Sequence, residues 1–96
     1  MPSAQLAFET EARLLALLAH PIRLQILELL RHGEVCVCDM QAALKQRQAY
    51  ISQHLMALRE AGLVTCRKEG LRVYYQLSEP RILRVLDQVH AVSQGK

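Results

Sequence analysis

Apolar and polar positions divide the chain into five helical stretches and three extended ones. Over residues 4–18, Leu6, Leu14, Leu15, Leu17 and Leu18 are spaced by Ala4, Ala7, Ala12 and Ala16, a run of strong helix formers. His20-Pro21 interrupts it. Pro21 suits the first position of a second helix running to about Arg31, with Ile22, Ile26, Leu29 and Leu30 on one face and Gly33 as its stop. Glu34-Val35-Cys36-Val37-Cys38 alternates and carries β-branched valines, which predicts a short strand. Asp39 is placed as the N-cap of a third helix over residues 40–46. A fourth helix from Gln48 to Ala61 turns Ile51, Leu55 and Leu58 inward, and Gly62 ends it. Residues 63–68 and 72–77 predict a hairpin around Glu69-Gly70-Leu71. From Ser78-Glu79-Pro80 a last helix runs to about Ser93. Its apolar face of Ile82, Leu83, Val85, Leu86, Val89 and Val92 is wider than one contact requires.

This order is mainly α with a small β-wing, that of a winged helix-turn-helix. It predicts one domain over residues 1–96, with the helix-turn-helix at about 39–62 and the wing at about 63–77. The fourth helix is then the element for the major groove of double-stranded DNA. Its outward residues near the N-terminus are read as Gln48, Ala49, Tyr50, Ser52, Gln53 and His54. A glutamine can bond adenine at two positions, serine and histidine can reach base edges or phosphates, and Tyr50 can meet a phosphate or a thymine methyl. Charge agrees with this reading. The chain has 12 Lys and Arg against 9 Asp and Glu. From Asp39 to Tyr75 six basic residues stand against three acidic ones, whereas residues 1–38 hold three and four. The positive excess therefore sits in the DNA-facing part, as phosphate neutralisation demands. Lys45 and Arg47 lie at the turn between the two helices, and Arg67, Lys68 and Arg72 flank the hairpin tip.

Composition removes other classes. At 51% hydrophobic and 22% charged, the chain is globular rather than disordered. Its aromatics are Phe8, Tyr50, Tyr74 and Tyr75, too few for a platform that stacks single-stranded bases. Paired catalytic carboxylates, a glycine-rich phosphate loop and a Cys-His pair are all missing from the sequence, so neither an enzyme nor an organic cofactor is expected. The longest apolar stretch, Leu14 to Ala19, is too short to span a bilayer. Glu9 and Glu11 and the lack of a basic leader argue against a secretory signal, so a cytoplasmic protein without a membrane partner is expected. Cysteine is present in odd number, and Cys36 and Cys38 are separated by one residue, a spacing ill suited to an ordinary structural disulfide. Reduced thiols available for chemistry are the expectation.

Four blocks of residues together resemble a known family. They are His20-Pro21-Ile22-Arg23-Leu24-Gln25-Ile26-Leu27, the run from Glu34 to Met40, Ile51-Ser52-Gln53-His54-Leu55 continuing through Leu58-Arg59-Glu60-Ala61-Gly62-Leu63-Val64, and Arg67-Lys68-Glu69-Gly70 followed by Val73-Tyr74-Tyr75. Over about residues 11–89 the chain resembles the ArsR/SmtB family of bacterial repressors. The resemblance implies a homodimer, joined through the first and last helices, that binds operator DNA and leaves it when an inducer, usually a metal or metalloid ion, binds. The apolar surplus on those helices gives dimerisation a physical reason, because a two-fold dimer buries it isologously. The operator expected is an imperfect inverted repeat.

Cys36-Val37-Cys38-Asp39 matches the family element whose thiolates bind arsenite, antimonite, or soft ions such as cadmium and lead. A helix N-terminus nearby favours the thiolate form. Arsenic-sensing members have a third cysteine where this chain has Gln41, so Cys66 on the first wing strand is the remaining candidate ligand. The plainer reading of Cys66 is a small buried hydrophobe. The family's other site, for zinc, nickel or cobalt, uses Asp and His on the last helix. Here Asp87 and His90 are spaced differently, and a surface carboxylate and a solvated imidazole suffice for them. The alternative inducer class is thiol oxidation or persulfide formation, with Cys36 or Cys38 bridging to Cys66. A third reading is a metal-independent DNA binder with inert thiols.

Overall fold

A computed structural model describes residues 7–95. The elements are α1 (Glu9–Leu18), α2 (Pro21–Leu29) continued by a single 3-10 turn (Leu30–His32), β1 (Val35–Cys36), α3 (Val37–Leu44), α4 (Gln48–Glu60), β2 (Val64–Glu69), β3 (Arg72–Leu77) and α5 (Ile82–Ser93). This is the winged helix-turn-helix expected. The predicted start of the first helix, residues 4–6, lies outside the described residues, and Ala7-Phe8 form a turn ahead of α1.

One boundary is corrected. The strand predicted through Cys38 stops at Cys36, and Val37 and Cys38 already belong to α3. Cys36, extended at φ −71° and ψ 143°, occupies the N-cap position in place of Asp39, and its sulfur accepts the Cys38 backbone N–H at 3.3 Å. The helix thus begins three residues earlier than the carboxylate pattern suggests, and Asp39 sits in its first turn. At its other end Lys45 takes the left-handed conformation at φ 55°, and its N–H donates to the Gln41 carbonyl at 2.9 Å. That reversal turns the chain within residues 45–47 so that α4 can cross α3.

The core is continuous through the helices and under the wing. Ile26 and Leu27 of α2, Met40 of α3, and Ile51, Leu55 and Leu58 of α4 are fully buried, and Val64 and Tyr75 extend the cluster beneath the sheet. At the end of α4, Leu63 N–H donates to the Leu58 carbonyl and Gly62 N–H to the Arg59 carbonyl, a Schellman pair of bonds that needs the positive φ (79°) of Gly62. The sheet is antiparallel with strand order β1-β3-β2. Glu69 and Arg72 close the hairpin around Gly70-Leu71. Gly70 has φ 62°, and Leu71 is not among the residues of positive φ, the pattern of a II′ turn.

Helices α1 and α5 leave apolar side chains unburied. Leu15 is 56% exposed, Val89 51% and Val92 74%. Beside them an open groove of about 710 Å³ runs between α1, α2 and α5, lined by Leu15, Leu18, Leu24, Val85, Leu86 and Val89 among others. Arg31 spans the groove's end, donating to the carboxylates of Glu28 and Asp87, the latter at 2.6 Å. Asp87 is thus an ion-pair partner joining α5 to the end of α2.

Candidate nucleic-acid interface and thiol site

Helix α4 offers its first two turns to solvent. Gln48, Ala49, Tyr50 and Gln53 are exposed, and Ser52 is half-buried. Arg47 is the N-cap residue but makes no side-chain cap, so the first N–H groups of α4 have no bond from it and are oriented as helix N-termini are for phosphate. Lys45 and Arg47 are exposed at the preceding turn, and Lys68 and Arg72 at the hairpin. None of these four takes part in an ion pair among the described residues. A polar helical face flanked by unneutralised cations has the composition that a DNA duplex requires.

Two of the residues read as DNA contacts are placed differently. His54 is 7% exposed and turned inward with Ile51, Leu55 and Leu58. Its Nδ1 accepts Arg23 Nε–H at 3.0 Å, and its ring lies edge-on to Tyr50 with centroids 4.7 Å apart. It therefore cannot present its ring to a base edge. Burial first, then the nearby charges of Arg23 and His20, lower its pKa below the ordinary value of 6.5. The sequence did carry a signal for this, since position 54 lies three residues after Ile51 and four before Leu58, inside the apolar stripe.

Arg67 is the second. It donates to the Glu34 carboxylate through Nε at 2.7 Å and through a terminal nitrogen at 2.8 Å, and to Glu69 at 3.2 Å. Its guanidinium also lies 4.6 Å over the Tyr74 ring. The paired guanidinium holds the Glu34 carboxyl below its ordinary range. Arg67 is thus neutralised within the chain, unlike Lys68 and Arg72. Neither Arg23 nor Glu34 was marked by the sequence pattern. Glu34 meets its partner across 33 residues, which only the strand pairing reveals.

The thiols divide into a pair and a single. Cys36 and Cys38 are in disulfide contact, with Cα atoms 5.3 Å apart. Their spacing did not suggest this. It arises because Cys36 is extended while Cys38 has entered the helix, so the two side chains swing to the same side. Cys36 is buried and Cys38 exposed. Cys66 is not brought to them. The register sets Cys36 across from Tyr74 and Arg67, and Val35 across from Tyr75 and Cys66. Cys36 and Cys66 therefore face opposite sides of the sheet, about 10 Å apart laterally at two strand spacings. Cys66 is half-buried against the core beside Tyr75, whose hydroxyl pKa is raised by its burial and then by Cys66. No cluster of three His, Cys, Asp or Glu side chains able to hold a metal occurs among the described residues. Once reduced, Cys36 and Cys38 supply the soft donors of a two-thiolate ligand set, and a third ligand from Cys66 of the same chain does not fit.

The fold and this face define a winged helix DNA-binding protein. The sequence pattern described as "Bacterial regulatory protein, arsR family" matches residues 20–65. An arsenical resistance operon repressor of Escherichia coli is 42% identical over 96 residues, covering 95% of this chain and 81% of the relative. A biofilm growth-associated repressor of Agrobacterium fabrum is 37% identical over 92 residues, covering 96% and 79%. A solved homodimeric winged helix-turn-helix DNA-binding domain from Mycobacterium bovis superposes with a TM-score of 0.78 at 34% identity, covering 94% of this chain and 83% of that one. The chain belongs to the ArsR/SmtB family and is a transcriptional repressor of that type.

Proposed function

We propose that two copies of this chain, joined through α1 and α5, hold an inverted-repeat operator in the cytoplasm and release it when the Cys36–Cys38 pair is modified by an inducer. In this reading α4 enters the major groove with Gln48, Tyr50, Ser52 and Gln53, while Lys45, Arg47, Lys68 and Arg72 grip phosphates. The observation that carries the reading is the exposed polar face of α4 bracketed by four unpaired cations. The exposed apolar side chains of α1 and α5 support the dimer.

The favoured inducer is arsenite or antimonite, with cadmium, lead or zinc as further candidates. Trihydroxyarsenic condenses with two thiols, forming two As–S bonds, releasing two waters and keeping one hydroxyl. The naming of several relatives for arsenical resistance supports this choice. The pair is well placed to report. Cys36 caps α3, the helix on which α4 rests, and lies across from Tyr74 in the wing, and Glu34 ties the same segment to Arg67. An ion that fixes both sulfurs alters the start of α3 and the β1–β3 pairing together, so it binds the DNA-free arrangement better. The disulfide contact favours a second reading, in which peroxide oxidises the two thiols to a disulfide and is itself reduced to water.

The test is release of a labelled operator duplex during titration with arsenite, antimonite, cadmium, lead, zinc and peroxide. Cys36→Ser and Cys38→Ser should each bind operator normally and lose the response, and Cys66→Ser should keep it. Release by arsenite from both pair variants overturns the thiol assignment. Release by peroxide alone, surviving metal chelation, selects the oxidation reading.

A further inference from the structure

We propose that Arg23 and His54 form a positioning pair that fixes the DNA-reading helix to the dimer-forming scaffold, with His54 required as a hydrogen-bond acceptor rather than as a DNA contact. This deepens the operator-binding reading and rests on it.

The geometry is a chain of three elements. The Arg23 guanidinium, on α2, donates through one terminal nitrogen to the Leu17 carbonyl in the last turn of α1 at 2.9 Å. Through Nε it donates to His54 Nδ1 on α4 at 3.0 Å. His54 in turn meets the ring of Tyr50, exposed on the DNA-facing side, edge-on at 4.7 Å. One planar guanidinium thus spans from the helix that carries dimer contacts to the helix that enters the groove. Two recognition helices can meet successive grooves of one duplex only if each is held at a set angle to the dimer axis. A rigid planar donor between two fixed acceptors holds such an angle better than apolar packing alone, which tolerates sliding.

The acceptor role assigns the tautomer. Nδ1 takes the Arg23 proton donor, so the ring's own proton resides on Nε2 and the ring is neutral. The groups facing His54 are Arg23 from α2, His20 from the α1–α2 junction and Tyr50 from α4 itself. Of these, Arg23 and His20 act on the charge of His54. Protonation of His54 removes the acceptor and sets a cation against Arg23, and burial and those charges accordingly hold its pKa below the ordinary 6.5. Operator affinity should therefore be fully present above that ordinary value and fall as pH drops through the lower value of the folded ring. This is opposite in sign to what a solvent-facing histidine at a phosphate gives, since gaining charge there strengthens binding.

The experiment is operator anisotropy between about pH 5 and 8, across the histidine range, for the wild-type chain, His54→Asn, His54→Ala, Arg23→Gln and the Arg23→Gln/His54→Ala double variant. Asparagine places an amide oxygen near the position of Nδ1 and does not titrate. Expected at neutral pH is His54→Asn within about threefold of wild type, and His54→Ala and Arg23→Gln each weaker on the order of tenfold, as for loss of a partly buried, charge-assisted hydrogen bond. The double variant should be no weaker than either single one. Below neutral pH the ratio of wild-type to His54→Asn affinity should fall. Circular dichroism melts keep the Ala variants interpretable, and His54→Asn tests the idea even where His54→Ala unfolds. Equal affinity of folded His54→Ala and wild type, or a wild-type affinity that rises relative to His54→Asn in acid, overturns the inference and leaves the operator-binding reading intact. A wild-type chain that binds no duplex overturns both.

Discussion

Arg67 and Arg72 lie on adjacent strands of one hairpin, yet the ion pairs predict opposite roles for them in DNA binding. Arg72 is exposed and unpaired, whereas Arg67 is held by Glu34 and Glu69 and stacked on Tyr74. Each phosphate neutralised by a free cation contributes about −0.9 to the slope of log K against log salt. Lys45, Arg47, Lys68 and Arg72 in two protomers then give a slope of about −7. Arg72→Ala removes one cation from each protomer and should flatten the slope by about 1.8. Arg67→Ala should flatten it by well under half as much. Swapping Glu34 for a phosphate would cost Arg67 two charge-assisted bonds and its ring contact, and would leave the Glu34 carboxylate unpaired beside the duplex. Glu34→Gln should act in the reverse sense and steepen the slope, because it frees Arg67. The assay is operator anisotropy over a ladder of salt concentrations for the four proteins, with the slope as the readout. An Arg67→Ala slope as flat as that of Arg72→Ala would refute the reasoning.

Two other outcomes test the scaffold. Leu55→Ala deletes a fully buried side chain from the inner face of α4 and should destabilise the protein by about 2–5 kcal/mol in urea unfolding; a loss below about 1 kcal/mol would mean that α4 does not seal the core. The Glu79 carboxyl, beside the Arg81 guanidinium ahead of α5, is held down to about 2 from an ordinary 4.5. Its folded value is depressed, so its contribution is present above 4.5 and lost as pH falls toward 2. The difference in melting temperature between wild type and Glu79→Gln should shrink over that window, and a pH-independent difference would count against the ion pair.

Helix and hairpin order was legible in the chain because it rests on local chemistry. Pro21 opens α2, Gly62 closes α4, and Gly70 makes the wing turn. What the chain concealed depended on contacts between elements or on an unusual acceptor. The early start of α3 hinges on a sulfur acting as cap, where side-chain oxygens are the usual guide. His54 is by residue type a polar group on a reading helix, although its position places it with Ile51 and Leu58. The partnering of Arg67 by Glu34, and the facing of Cys66 away from Cys36, follow from register across β3, and β1 pairs with β3 at long sequence separation, where no hairpin turn sets the register.

The bridge-forming cysteines enclose a single residue, Val37. The restraint a crosslink puts on an unfolded chain grows with the logarithm of the loop it closes, so a loop this short restrains it least. On the proposed reading, linking or separating the two sulfurs acts on the start of α3 more than on whether the protein folds. Such a contact is a weak staple, and on that reading it serves to carry a message.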